Sequence, residues 1–282
     1  MSVQVQPSRI NVMDHSGKDH LLAVVRQARA EFYDLIDNLD AEGWQTPTAC
    51  TEWQVLDVAA HMVDVTEAYL QRWALARGGQ SVGSAIGVQD VMPHGLDAAA
   101  KKLREVPQQE LIARLKRASD ELFVIFDSID AEKWGGELVE HVYMGPLPAF
   151  IYMGFQLIDY AVHSWDIRAG LGRSAPMPDA EADALIPYMF YVLHPSTVDQ
   201  KEAAGLDATW GVRVSGDAGG SWRATLTGGQ LSYEEGSVAG LPVVFNFDPN
   251  DFVLTSFQRI SGGAAIGDQA LAARIRRLWF NI

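Results

Sequence analysis

The sequence contains one cysteine, Cys50, among its 282 residues. A single cysteine excludes an intramolecular disulfide and also a zinc site built from several cysteines. We expect Cys50 to be a small packed residue in a turn, with a reactive thiol as the alternative.

Long apolar runs and basic clusters are also missing. No stretch approaches the roughly 20 apolar residues that span a bilayer, and residues 1–9 lack the basic start and apolar core of a signal peptide. The chain has 22 basic and 36 acidic residues and a net charge of −14, which disfavours both nucleic acid and anionic membranes as partners. The sequence therefore predicts a cytoplasmic protein with neither kind of partner.

Helical periodicity predicts a bundle in the first two thirds of the chain. Apolar residues recur at helical spacing in four long stretches joined by loops, which are residues 18–39, 54–77, 107–129 and 150–168. Thr51 and Gln54 have the spacing of a capping box for the second helix. The Gly/Ser-rich stretch that follows it, from Gly78 to Pro93, is a candidate lid.

The pattern changes after a shorter predicted helix from Asp179 to His194. Short β-branched or aromatic segments separated by glycine turns predict strands at residues 210–215, 222–226, 230–233 and 241–247. A helix capped by Asp248 and Pro249 is expected to run to Phe257, and a last helix is expected from Asp268 to Trp279. We predict an α+β protein of two domains, namely an up-down four-helix bundle at residues 14–195 and a small α+β domain with an antiparallel sheet at residues 207–282.

The stretch from 150 to 168 carries an unusual polar stripe on an otherwise apolar helix. Gln156, Asp159, His163 and Asp166 are spaced three, four and three residues apart, so all four lie on one face. A buried carboxylate needs a partner, because an unpaired charge in the interior costs several kcal/mol. A bound cation would be such a partner.

His61, in the middle of the second predicted helix, is a third candidate ligand. Two histidines and a carboxylate form a set that zinc accepts with one position left open, and ferrous iron also accepts it. However, a single mid-helix histidine is more often a core or surface residue. The stripe from Gln156 to Asp166 could face water, and so could the stripe of Asp57, His61 and Asp64 on the second helix. Periodicity alone does not show which helix faces meet.

Two segments resemble a known family. Residues 44–61, with the sequence WQTPTACTEWQVLDVAAH, and residues 159–166, with the sequence DYAVHSWD, resemble mycothiol-dependent maleylpyruvate isomerase-like proteins. The resemblance implies a DinB-like four-helix bundle in which His61, Asp159 and His163 hold a divalent metal, most often zinc. Asp159 stands where the family more often has the longer glutamate.

The C-terminal region resembles a second kind of module. The segment from Phe247 to Phe252, the stretch GGAAIGDQALA at residues 262–272 and the closing Phe280 resemble sterol-carrier-protein-like domains. The resemblance implies a fold, and we do not extend it to lipid binding, since apolar strands usually form a core.

Other residues are candidates for supporting roles. Asp57 and Asp166 could orient the imidazoles of His61 and His163, although a solvated carboxylate is the alternative for each. Arg168 and Arg259 are candidates for binding an anionic substrate or thiol, because guanidinium suits bidentate recognition. We identify no residue for proton transfer.

The resemblance implies a metal-dependent enzyme that uses mycothiol as a nucleophile. The expected reaction is isomerisation or S-transfer on a small electrophilic substrate. Two alternatives remain open, a non-catalytic protein that binds a metal, ligand or lipid, and a thiol-independent tailoring enzyme on the same scaffold. The oligomeric state is not predicted.

Overall fold

The structure of the chain, a computed structural model, describes residues 11–50, 52–81, 83 and 95–280. The helices before the main sheet are α1 (Lys18–Asp37), α2 (Val55–Arg77), α3 (Gly95–Lys102), α4 (Gln108–Asp127), α5 (Ala131–Gly136), α6 (Ala149–Gly170) and α7 (Asp179–Tyr188). A π-helical turn (Met189–Leu193), α8 (His194–Ser196) and α9 (Gln200–Ala203) follow.

The bundle predicted from periodicity is confirmed. α2 packs against α4, and α1 packs against α6. α1 illustrates why, because Leu21, Val25, Phe32 and Ile36 are buried at 0 % exposure and lie on one face at helical spacing. The apolar faces of the four long helices therefore enclose one core.

A small hairpin between α5 and α6 was not predicted. Strand β1 (Leu138–Glu140) pairs antiparallel with β2 (Pro146–Pro148). These strands are too short to show an alternating pattern, and two prolines flank Leu147. The hairpin matters because its turn lies next to the polar face of α6.

The main sheet contains β3 (Ala208–Val214), β4 (Gly220–Thr227), β5 (Gln230–Glu235), β6 (Val243–Phe247) and β7 (Ala264–Gly267), in the spatial order β5-β4-β3-β6-β7. Helices α10 (Pro249–Ser256) and α11 (Gln269–Ile275) complete this region.

The sheet is mostly antiparallel, as expected, but it has one parallel pair. β3 and β6 run parallel, with Val212 opposite Phe245. The reason is the path of the chain, because β4 and β5 extend the sheet on one side of β3 and residues 236–242 then return the chain to the end where β3 starts. β7 was not predicted, since its Ala/Gly-rich sequence is mostly exposed and gives no alternation.

The predicted helix from Asp179 to His194 is not regular throughout. Pro187 lies inside α7, and the five residues directly after α7 form the π-helical turn. Pro187 has no backbone N–H to donate to the carbonyl oxygen of Asp183, so α7 itself lacks one regular hydrogen bond. Phe190 of this turn stacks on Trp222 of β4 at 4.2 Å between ring centroids. Because this segment also packs against α6, the division into domains at 14–195 and 207–282 stays a proposal.

The start of α2 is capped differently from the prediction. Gln54 is the N-cap residue, and Asp57 accepts a hydrogen bond from the Gln54 backbone N–H at 2.9 Å. Thr51 lies outside the described residues, as does most of the predicted lid from Gly78 to Pro93. In the part of the chain that the structure describes, no helix is both long and apolar enough to cross a bilayer.

A glycine contact between α6 and α7 gives a prediction about stability. A Cβ at Gly154 would collide with the Tyr188 ring, whereas one at Gly136 would meet nothing within 4 Å. Glycine in a helix is normally less favourable than alanine by about 0.5–1 kcal/mol, but overpacking costs about 1–3 kcal/mol. We expect Gly154→Ala to lower the free energy of unfolding in urea and Gly136→Ala to leave it unchanged or raise it. Equal effects of the two changes would show that the contact is not tight.

Candidate metal centre

The polar faces of α2 and α6 meet inside the bundle. Potential ligand atoms of His61, Asp159 and His163 all lie within 4.8 Å of one another, and His61 Nε2 is 3.6 Å from Asp159 Oδ1. Both histidines are buried, and the Asp159 side chain is 14 % exposed. On the same pair of helices, Thr66 donates a hydrogen bond to Gln156 at 3.4 Å. The parts of the two faces that carry these residues therefore meet inside the bundle and do not face water.

His163 is held by the carboxylate of Asp166. Its Nδ1 lies 3.0 Å from Asp166 Oδ2. Burial alone would raise the pKa of Asp166, but the hydrogen bond from His163 and the charge of Arg259 outweigh it and lower the pKa below the ordinary value. The ionised carboxylate can only accept, so Nδ1 donates to it and Nε2 is the nitrogen left for a ligand. The predicted role of Asp166 in orienting His163 stays a prediction, which this contact favours.

Arg259 reaches Asp166 from the sheet region. Its Nε donates to Asp166 Oδ1 at 2.7 Å and its Nη2 donates to Oδ2 at 3.1 Å. The two side chains are only 5 % and 0 % exposed, and Nη1 donates to the carbonyl oxygen of Phe257 at 2.9 Å. The structure thus gives Arg259 protein partners on three nitrogens, and its predicted role in substrate binding stays a prediction.

The carboxylate of Asp57 is engaged by groups other than His61. Besides capping α2, it binds the guanidinium of Arg104 through both oxygens, with Nη2 2.6 Å from Oδ2. The predicted orientation of His61 by Asp57 therefore stays a prediction that these contacts do not favour.

Arg168 lies on a different side of α6 from the histidine cluster. Burial and the charge of Glu31 raise the pKa of Glu181 to about 7, and the charge of Arg168 opposes this rise. Arg168 Nε and Glu181 Oε1 are buried atoms without a hydrogen-bond partner in the described part of the chain. Substrate binding by Arg168 is untested and stays a prediction.

A second possible ligand set shares His163. Cys50, His163 and Asp166 also place one potential ligand atom each within 4.8 Å of one another. Burial, opposed in part by the charge of Arg259, raises the pKa of the Cys50 thiol to about 11. A cysteine ligand must be a thiolate, and a cation here would face the guanidinium that already holds Asp166. The set with His61 and Asp159 is the more favourable one.

Three aromatic residues border the cluster, and sequence analysis did not assign them. The Trp53 ring centroid lies 5.0 Å from that of His61 and 6.0 Å from that of His163. Burial raises the pKa of Tyr69 and Tyr143, and the charge of Asp159 raises both further. These phenols stay protonated at neutral pH and can donate hydrogen bonds. Tyr143 comes from the unpredicted β1–β2 turn, so no periodic signal could have placed it.

The donor set fits a divalent cation. Two imidazole nitrogens and one carboxylate oxygen suit zinc with an open position and also suit ferrous iron. Histidines that bind metals commonly donate their other N–H to a carboxylate, as His163 does to Asp166. The ligand role of His61, Asp159 and His163 stays a prediction that the chemistry of these residues favours.

The sequence of the chain matches a known protein family. The family described as the mycothiol maleylpyruvate isomerase N-terminal domain matches residues 25–168, slightly more than half of the chain. The chain belongs to this family. All of the candidate ligands lie inside the matched residues.

Solved structures show the same fold. The chain is similar to crystal structures of the mycothiol-dependent maleylpyruvate isomerase and of a mutant of that enzyme, each with a TM-score of 0.59 and with 88% of this chain and 92% of the other covered. The identities are 11% and 12%, so this similarity concerns the fold alone. The similarity extends past the bundle into the sheet region, although the resemblance of residues 207–282 to sterol-carrier-protein-like domains stays a prediction.

Curated relatives carry no assigned activity. Two uncharacterized proteins of Mycobacterium tuberculosis, from strains CDC 1551 and H37Rv, are each 27% identical over 159 residues, which is 56% of this chain and 71% of theirs. Function must therefore be proposed from the site.

The buried pair of Arg259 and Asp166 yields a prediction. Breaking a buried ion pair from one side costs about 3–5 kcal/mol, so Arg259→Met should lower the free energy of unfolding in urea by about 3 kcal/mol. Arg277 and Glu202 form an exposed pair, with side chains 59% and 42% exposed. The control Arg277→Met should change stability by less than about 1 kcal/mol. Similar losses in both variants would contradict the role given to the buried pair.

Proposed function

We propose that the protein is a metal-dependent enzyme that uses a low-molecular-weight thiol, mycothiol, as the nucleophile in isomerisation or S-transfer on a small electrophilic substrate. The observation that carries the proposal is the convergence of His61, Asp159 and His163 to within 4.8 Å at the meeting of α2 and α6. Membership of the mycothiol maleylpyruvate isomerase N-terminal domain family supports the thiol.

Each residue of the centre has a proposed task. His61 Nε2, a carboxylate oxygen of Asp159 and His163 Nε2 would hold the cation, most favourably zinc. A bound cation lowers the pKa of a thiol at its open position and so supplies a thiolate at neutral pH. Asp166 would fix the tautomer of His163 through its contact with Nδ1, and Trp53 packs against both imidazoles.

The thiol must come from outside the chain. Cys50 is the only cysteine, and burial raises the pKa of its thiol to about 11. At neutral pH it is protonated and is a poor nucleophile. Sulfur chemistry at this centre therefore requires a co-substrate.

Two phenols are suited to handle polar groups of the substrate. Tyr69 and Tyr143 both lie close enough to Asp159 for its charge to raise their pKa values. Their protonated hydroxyls could donate hydrogen bonds to an oxygen on which negative charge develops when a thiolate adds to a conjugated double bond. We assign them this role as part of the proposal, since Arg259 is already engaged by Asp166.

Metal content tests the proposal. Elemental analysis of protein purified without chelators should give about one zinc per chain for the wild type and at least tenfold less for His163→Ala and His61→Ala, since each loses a ligand. His20 is exposed on α1, and the control His20→Ala should keep its zinc. A wild type that binds no metal even after incubation with zinc would overturn the proposal.

The requirement for thiol is tested separately. The zinc-loaded wild type should convert maleylpyruvate, or form a thioether with a simple electrophile, only when mycothiol is added. Conversion at the same rate without any thiol would favour a thiol-independent tailoring enzyme. Full metal occupancy with no turnover of maleylpyruvate or of the electrophile, with or without thiol, would favour a binding protein.

A further inference from the structure

Gln156 is a polar residue of the α6 stripe to which no role has been assigned. It is only 1 % exposed. Its Oε1 accepts a hydrogen bond from the Thr66 hydroxyl of α2 at 3.4 Å, whereas its Nε2 is buried and has no hydrogen-bond partner in the described part of the chain. A buried donor in this state has lost its hydrogen bonds to water without replacement. The amide therefore indicates an acceptor that comes from outside the chain.

Contacts between α2 and α6 place this donor beside the proposed metal centre. Three pairs of side chains connect the two helices in order, namely His61 with Asp159, Thr66 with Gln156, and Tyr69 with Tyr152. The residue numbers rise along α2 and fall along α6, so Gln156 lies in the layer between the other two pairs. It is three residues before Asp159, which is about 4.5 Å along the helix axis.

The donors near this layer are uncharged. Burial, together with the charge of Asp159, raises the pKa values of Tyr69 and Tyr143, so both phenols keep their protons at neutral pH, and the amide of Gln156 does not titrate. A hydrogen bond from a fixed neutral donor in a site closed to water becomes stronger as negative charge develops on its acceptor. These donors suit an oxygen that is neutral in the substrate and becomes negative during the reaction.

The two arginines that reach buried carboxylates of this region are already engaged. Arg104 holds Asp57 and Arg259 holds Asp166, each through two nitrogens. In the described part of the chain, Asp159 makes no ion pair with a lysine or arginine. The charges of a divalent cation, Asp159 and one thiolate sum to zero. A carboxylate on the substrate would therefore bring an uncompensated charge into a buried site, which is unfavourable.

We propose that Gln156 donates a hydrogen bond to the carbonyl oxygen of the electrophile, and that the substrate is an uncharged α,β-unsaturated carbonyl compound and not a dicarboxylate such as maleylpyruvate. This inference rests on the proposed function and specifies its substrate class. The thiolate sulfur forms a bond to the β-carbon, the C=C π bond breaks, and the electron pair moves to the carbonyl oxygen, where Nε2–H of Gln156 stabilises it. The proton that the thiol released to water then returns to the α-carbon.

Two compounds with the same enone test the substrate class. β-Acetylacrylate carries a carboxylate at neutral pH, and its methyl ester is uncharged. With zinc-loaded protein and mycothiol, kcat/KM divided by the rate constant of mycothiol alone should be about tenfold higher for the ester, because the site does not compensate the charge of the acid. Thiol-dependent turnover with an equal or higher value for the acid would overturn the inference and leave the proposed function standing.

Variants of the amide test the role of Gln156. Gln156→Met removes the donor at nearly constant volume, so kcat for the ester should fall about 100-fold, as when an oxyanion donor is lost, with a smaller change in KM and unchanged zinc content. Gln71 is exposed on α2, and the matched control Gln71→Met should keep the wild-type rate. Thr66→Val, which loses the hydroxyl that holds Oε1, should lower kcat about tenfold, and Thr66→Ser should restore it. If Gln156→Met fails to fold by circular dichroism, the two Thr66 variants decide the matter.

Infrared spectroscopy separates contact with the substrate from a structural role. Methyl levulinate labelled with ¹³C at its ketone carbon lacks the double bond and cannot react. A hydrogen bond weakens the C=O bond, so the ketone band should lie at a higher wavenumber with Gln156→Met than with the wild type. Identical bands, or wild-type kinetics in Gln156→Met, would assign the donor to an internal water and overturn the inference. Absence of thiol-dependent turnover of both compounds would instead contradict the proposed function, and the inference with it.

Discussion

The carboxylate of Asp166 is the group on which the architecture of the site depends. It is fully buried, accepts hydrogen bonds from Arg259, and binds Nδ1 of His163. Without these partners a buried carboxylate would cost several kcal/mol or take up a proton. With them it fixes the segment after α10 against α6, and its contact with Nδ1 leaves Nε2 of His163 as the nitrogen for the proposed cation. One buried charge thus ties the sheet region to the bundle and orients a proposed metal ligand.

Local sequence patterns predicted much of the bundle and the face that carries the site. The spacing of Gln156, Asp159, His163 and Asp166 placed all four on one face of α6, because helix geometry alone determines that result. Periodicity could not say that this face meets His61, since a polar stripe is equally compatible with solvent. The resemblance to the isomerase-like proteins supplied that pairing, and the structure brings the three candidate ligands together.

Local sequence patterns did not predict contacts between residues far apart in the chain. Arg259 is 93 residues from Asp166, and Arg104 is 47 residues from Asp57, so tertiary packing and not local spacing decides these pairs. The same holds for Tyr143, which an unpredicted hairpin brings close to the centre. The parallel pairing of β3 and β6 was also missed, because a strand pattern shows burial and not direction.

X-ray absorption at the zinc edge, recorded on zinc-loaded protein before and after adding mycothiol, tests the central claim most directly. The account predicts scattering from two imidazoles and no sulfur before the thiol is added, because Cys50 is protonated and buried. After addition, one sulfur should appear at about 2.3 Å from zinc. A spectrum without imidazole scattering, or one that gains no sulfur on addition of the thiol, would contradict the account.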